Sequence, residues 1–139
     1  MSTTTTDTPS TGTPADERGL DLTEVIDAHL AAYCDPDAAR RQATVARVWA
    51  NDGHLLDPPF DGRGPAEIAA MTDAVLAHYP DHTFARTTAV DAHHAFARYG
   101  WALTAPDGAA AVTGTDFVEV DPTGRITRIV GFFGDPQPA

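Results

Sequence analysis

A chain of 139 residues, 42% hydrophobic and 21% charged, is long enough for one domain around one core and ordinary in composition for a globular protein. Its formal net charge of -11 repels phosphates, and no run of basic residues interrupts that field, so nucleic acid and anionic membrane surfaces are poor partners. The single cysteine, Cys34, excludes an intrachain disulfide and suits a reducing compartment, and neither a secretory leader nor the ~20 apolar residues of a membrane span is legible, so a cytoplasmic location is expected.

Residues 1–19 are mostly Thr, Ser, Pro, Gly and Asp, with almost nothing to bury. Ordering them costs entropy without hydrophobic return, so a disordered tail is expected ahead of a single domain over residues 20–139. Asp21-Leu22-Thr23-Glu24 is a helix cap with an acidic residue three positions on, and Leu22, Val25, Ile26, His29, Leu30 and Tyr33 follow at helical spacing. Asp35-Pro36-Asp37 turns the chain and caps a second helix, making a helical hairpin. Its short apolar face of Val45, Val48 and Trp49 ends at Asn51-Asp52-Gly53. Residues 54–57 then read as a short strand that Pro58-Pro59 stops. Asp61-Gly62-Arg63-Gly64-Pro65 supplies a turn and a proline at the start of a third helix, striped by Ile68, Met71, Val75, Leu76 and Tyr79 and ended by Pro80.

From Thr83 the hydrophobic period changes to two. Residues 84–90, 95–104, 109–120 and 125–133 are strand-like, and Pro106-Asp107-Gly108 and Asp121-Pro122-Thr123-Gly124 carry the chemistry of hairpin turns. Helix, helix, strand, helix and an antiparallel meander predict an α+β domain with a cavity between sheet and helices.

Two aspartates stand out. Asp57 in Leu55-Leu56-Asp57-Pro58 and Asp116 in Gly114-Thr115-Asp116-Phe117-Val118 are lone carboxylates in apolar, strand-like segments. Desolvation raises a carboxylate's pKa toward neutrality, so two such groups point to acid/base chemistry. Alternation places Asp116 on the more apolar face of its strand, with Val112, Gly114, Val118 and Val120. Each also has a structural reading: Asp116 as a buried aspartate satisfied by amides, Asp57 as a turn cap before proline. His78 and His82 have a ligand-like spacing, but Pro80 breaks the helix that would align them, and no phosphate-binding glycine loop, Gly-x-Ser-x-Gly elbow or catalytic cysteine motif is present. No metal and no cofactor are expected.

In this order of elements, with Asp57-Pro58 closing the first strand and Asp116-Phe117 on a later one, the chain from about Leu20 to Phe133 resembles the nuclear transport factor 2-like superfamily. That group includes ketosteroid isomerases, SnoaL-like polyketide cyclases and limonene epoxide hydrolases. The resemblance implies a cone-shaped α+β barrel, three helices packed on a curved, mostly antiparallel sheet, and a homodimer formed through the open sheet face. It implies Asp57 as general base and Asp116 as a neutral acid donating to an oxyanion. The isomerases place a tyrosine on helix one as a second donor; here His29 holds that place, with Tyr33 one turn on. Arg98 has apolar neighbours on both strand faces, and with Tyr33, Trp101 and Phe132 it is a candidate substrate contact. Such aromatics more often fill cores or subunit interfaces.

The implied activity is proton transfer beside the carbonyl of a hydrophobic ketone, an isomerisation or a polyketide-type cyclisation. The residue usage is similar to that of high-GC bacteria, which suits secondary metabolism. Epoxide opening of the limonene epoxide hydrolase type is an alternative: its usual site keeps only Arg98, because Gly100 and Gly131 stand where its carboxylates would be, so Asp57 and Asp116 would carry the reaction in a rearranged site. A non-catalytic ligand-binding or dimerisation module is the alternative of another class.

Overall fold

The computed structural model describes residues 20–139, and the tail expected over residues 1–19 lies outside them. Helix α1 (Leu22–Ala32) starts where the Asp21 carboxylate accepts from the Glu24 amide at 3.0 Å, and α2 (Ala38–Val48) where Asp37 accepts from the Arg40 amide at 3.0 Å. Each cap satisfies an amide that the helix cannot, worth about 1 kcal/mol. Helix α3 (Gly64–His78) has Pro65 in its first turn, and Glu67 reaches back to accept from the Arg63 amide at 2.8 Å.

The strands are β1 (Trp49–Asp57), β2 (Phe60–Arg63), β3 (Thr83–Arg86), β4 (Asp91–His93), β5 (Phe96–Thr104), β6 (Ala110–Val120) and β7 (Ile126–Phe133). They form one sheet in the order β2-β1-β7-β6-β5-β3, with β4 also on β5. Every pairing is antiparallel except β1 with β7. Three helices packed on this curved, mostly antiparallel sheet make the expected α+β fold, although the sheet does not close into a barrel.

Three boundaries differ from the sequence expectation, the first being that the strand expected over residues 84–90 ends at Arg86, with the short β4 following at Asp91–His93. The second helix stops at Val48, and Trp49, expected on its apolar face, is extended (φ -100°, ψ 139°) and opens a strand of nine residues. Trp49 is fully buried as expected, but pairing with Ile126 of β7 supplies backbone partners that local propensity cannot foresee. The turn expected at residues 61–65 is instead mostly strand β2, hairpinned onto β1 through Pro58-Pro59.

The core lies between the helices and one sheet face. Ile26 and Leu30 of α1, Val48 of α2 and Ile68 of α3 meet Leu55, Ile126 and Ile129 of the sheet, all of them buried. Burying each Ile or Leu contributes roughly 2 kcal/mol. Arg41 ties α2 to α3 from a buried position, donating to the Asp73 carboxylate at 2.6 Å and to the Asp35 carbonyl at 2.8 Å. Among the described residues no helix is long and apolar enough to cross a membrane.

Candidate active site

Strand register assembles the site. Parallel pairing of Leu56 with Val130 carries Asp57 beside Gly131; Gly131 pairs with Asp116, and Asp116 with Tyr99. One inward row across β1, β7, β6 and β5 is therefore Asp57, Gly131, Asp116, Tyr99. Trp101, the next inward residue of β5, lies over Gly114, which has no side chain to obstruct the indole.

Asp116 is 4% exposed and does not line the cavity. Trp101 Nε1–H donates to its Oδ1 at 2.9 Å and the Tyr99 hydroxyl donates to its Oδ2 at 2.7 Å. An indole N–H can only donate, whereas a tyrosine hydroxyl can also accept, so a protonated Asp116 carries its hydrogen on the Tyr99 side. Burial pushes its pKa up to about 7; the Tyr99 and Trp101 hydrogen bonds oppose the rise, and the charge of Asp57 adds to it.

Asp57 does line the cavity. Its Oδ1 is buried without a hydrogen-bond partner among the described residues, and burial pushes the carboxyl up to about 6. A carboxylate stripped of water and left without donors is a stronger base than one in solution. Tyr33 shares the cavity wall. Burial, then the charges of Asp57 and Asp116, raise its pKa well above the usual tyrosine value, so it keeps its proton and remains a donor.

His29, the other candidate from helix one, sits behind this wall. Its Nδ1 accepts from Trp49 Nε1–H at 3.2 Å, and burial lowers its pKa to about 3, so the ring is neutral. It packs edge-on against Tyr33, 5.2 Å between centroids, as an i, i+4 neighbour. The helix-one donor on the cavity wall is Tyr33, not His29.

The cavity has a volume of about 320 Å³ and an apolar wall rich in aromatic rings. Tyr33 packs on Phe84, Phe84 on Trp101, and Trp101 on Phe133, with centroids 4.8, 4.9 and 5.8 Å apart. Phe60, the α3 residues Val75 and His78, and Tyr79 just beyond also line it, and among the described residues no arginine does. The arrangement suits an apolar ligand with one polar group directed at Asp57 and Tyr33.

Two expected contacts face the other way. Arg98 is on the outer face of β5, where its Nε donates to Asp91 at 2.8 Å with both side chains largely in solvent. Alternation with the buried Ala97, Tyr99 and Trp101 sends it outward. With Arg98 outside and Gly100 and Gly131 lacking carboxylates, the epoxide-opening set is not assembled. Phe132 is likewise outward, 56% exposed and edge-on to Phe117, while its neighbour Phe133 reaches the cavity.

Sequence reasoning missed Tyr99, Phe84, Phe133 and Gly131 as site residues. For Tyr99 and Gly131 the signal is cross-strand register, which one sequence does not reveal. His78 joins the cavity wall, whereas His82 contacts the Pro80 carbonyl at 2.9 Å. Among the described residues no three or more His, Cys, Asp or Glu side chains gather as a metal site.

Residues 26–129 match the SnoaL-like domain family, and the chain belongs to that family. A candidate isomerase of the SnoaL-like family from Agrobacterium tumefaciens is 34% identical, over 82% of this chain and 97% of that one, with a TM-score of 0.77. Two more distant structures share the fold. A candidate polyketide cyclase from Sinorhizobium meliloti is 17% identical, covering 81% of this chain and 96% of that one (TM-score 0.60). A Catenulispora acidiphila protein with a ketosteroid isomerase-like fold, in complex with trimethylamine, is 16% identical, covering 78% and 84% (TM-score 0.64). Among curated proteins none matches the chain.

Proposed function

We propose that this protein is an enzyme that moves a proton at the carbon next to the carbonyl of a hydrophobic ketone, isomerising or cyclising it. The observation that carries the reading is Asp57, a cavity-lining carboxylate whose Oδ1 is buried with no hydrogen-bond partner among the described residues. Asp57 removes the α proton as its C–H bond breaks, and the electron pair moves onto the carbonyl oxygen. The Tyr33 hydroxyl donates a hydrogen bond to that enolate oxygen. In an isomerisation Asp57 returns the proton to the far carbon of the conjugated system. In a cyclisation the enolate carbon attacks a second carbonyl, and the proton ends on the new alkoxide. Neither route needs a cofactor. Membership of the SnoaL-like family and the likeness to a candidate isomerase support this kind of activity.

The test is a panel of hydrophobic β,γ-unsaturated ketones, following conjugation by absorbance and deuterium uptake in heavy water. Wild type is expected to accelerate both over buffer, Asp57→Asn to lose at least ~100-fold, and Tyr33→Phe about 100-fold. Equal rates in wild type and Asp57→Asn, or no acceleration across the panel, contradict the reading. The second outcome favours another function, a non-catalytic pocket for an apolar cation. An aromatic wall around one carboxylate is the chemistry that holds alkylammonium groups, and a trimethylamine complex is known for the Catenulispora acidiphila relative in fold.

A further inference from the structure

Gly131 lies on the inward face of β7 between the two aspartates, and the space its side chain would need is already filled. A Cβ there would collide with Asp57 Oδ1 and lie 2.9 Å from Asp116 Oδ1. The two carboxyls thus meet over bare β7 backbone. Among the described residues, the groups of α1 and β5 around them bring no compensating positive charge. Tyr33 at the C-terminal end of α1 and Tyr99 of β5 are held protonated, mainly by burial, His29 of α1 is neutral, and Trp101 of β5 is a neutral donor. From α3, His78 and Tyr79 border the same cavity. Carboxylates this close in a dry site resist ionising together, because the first charge strengthens the hold on the second proton.

We propose that Asp57 and Asp116 together carry one proton at neutral pH, held by Asp116 on its Tyr99 side, and titrate as a coupled pair, and that Gly131 is the positioning residue that brings them together. This rests on the reading of Asp57 as the site's base and extends it. A pair carrying one proton has a single negative charge. When Asp57 takes a proton from the substrate carbon, that charge passes to the enolate oxygen and leaves two neutral carboxyls beside it. With both aspartates ionised, the enolate would form next to a remaining carboxylate.

The test is titration of the Asp116 side-chain carboxyl by carbon NMR in the full chain without substrate, so the pairing and the catalytic reading can fail separately. Replacing Asp57 by Asn, which removes a charge from a group without hydrogen bonds, is expected to lower the proton affinity of Asp116 about tenfold. Gly131→Ala displaces the Asp57 carboxyl and is expected to lower it similarly, with little added by Asp57→Asn on top. An Asp116 titration unchanged by Asp57→Asn overturns the coupling of the pair. A folded Gly131→Ala protein with the wild-type Asp116 titration overturns the role of Gly131. If Gly131→Ala does not fold, Asp57→Ala combined with it decides the point: rescue of folding supports a collision with Asp57, and failure overturns it.

Discussion

Asp57 sits where the fold would be more stable without a charge. Folded, it keeps its proton up to about pH 6, whereas its ordinary value is 3.8. Between those two values the folded state binds more protons than the unfolded, so this group's contribution to stability is present at low pH and lost as pH rises through 6. Asn at position 57 has no such dependence. Its advantage over Asp should grow by roughly 2 kcal/mol between about pH 4 and about pH 8, measured by denaturant unfolding of both proteins. A constant difference across that range would mean that Asp57 titrates normally. Asp57 and Asp116 were legible in the sequence because a carboxylate in an apolar strand breaks the local pattern. Tyr99 and Gly131 break no pattern, and their roles exist only once β5, β6, β7 and β1 are in register.

The three helices and the meander were legible because caps and periodicity act locally: Asp21 and Asp37 each bond their own helix. The junction of α2 with β1 was not, because Trp49 satisfies a helical stripe in sequence and a strand ladder in space. The face of Arg98 was equally open, because apolar neighbours flank it on both sides in sequence, and burial of Ala97, Tyr99 and Trp101 decides it. The outer face of β5, β6 and β7 now carries Phe96, Phe117 and Phe132, 50%, 44% and 56% exposed, beside the cross-strand pair of Glu119 and Arg128. Aromatics flanked by opposite charges can pack against a second copy in reversed orientation, so a homodimer through this face is expected. Light scattering after size exclusion should give twice the mass of the chain, and Phe132→Glu should give the monomer. A wild-type monomer at all concentrations would rule the face out as a dimer contact.

At the scale of the molecule, the helices and the sheet line an aromatic-rich cavity in a strongly acidic protein and place on its wall one carboxylate with no partner among the described residues. The surrounding field disfavours anionic ligands, and the wall favours apolar ones. Catalysis by this site depends on Asp57 being ionised. The direct measurement is the pH dependence of kcat/KM for deuterium uptake by a hydrophobic ketone, in wild type and Asp57→Asn. Wild-type activity should climb about tenfold per pH unit below a midpoint near 6, with that rising limb absent from the variant. A wild-type profile flat through that midpoint, or the same limb in Asp57→Asn, would contradict a general-base role for Asp57.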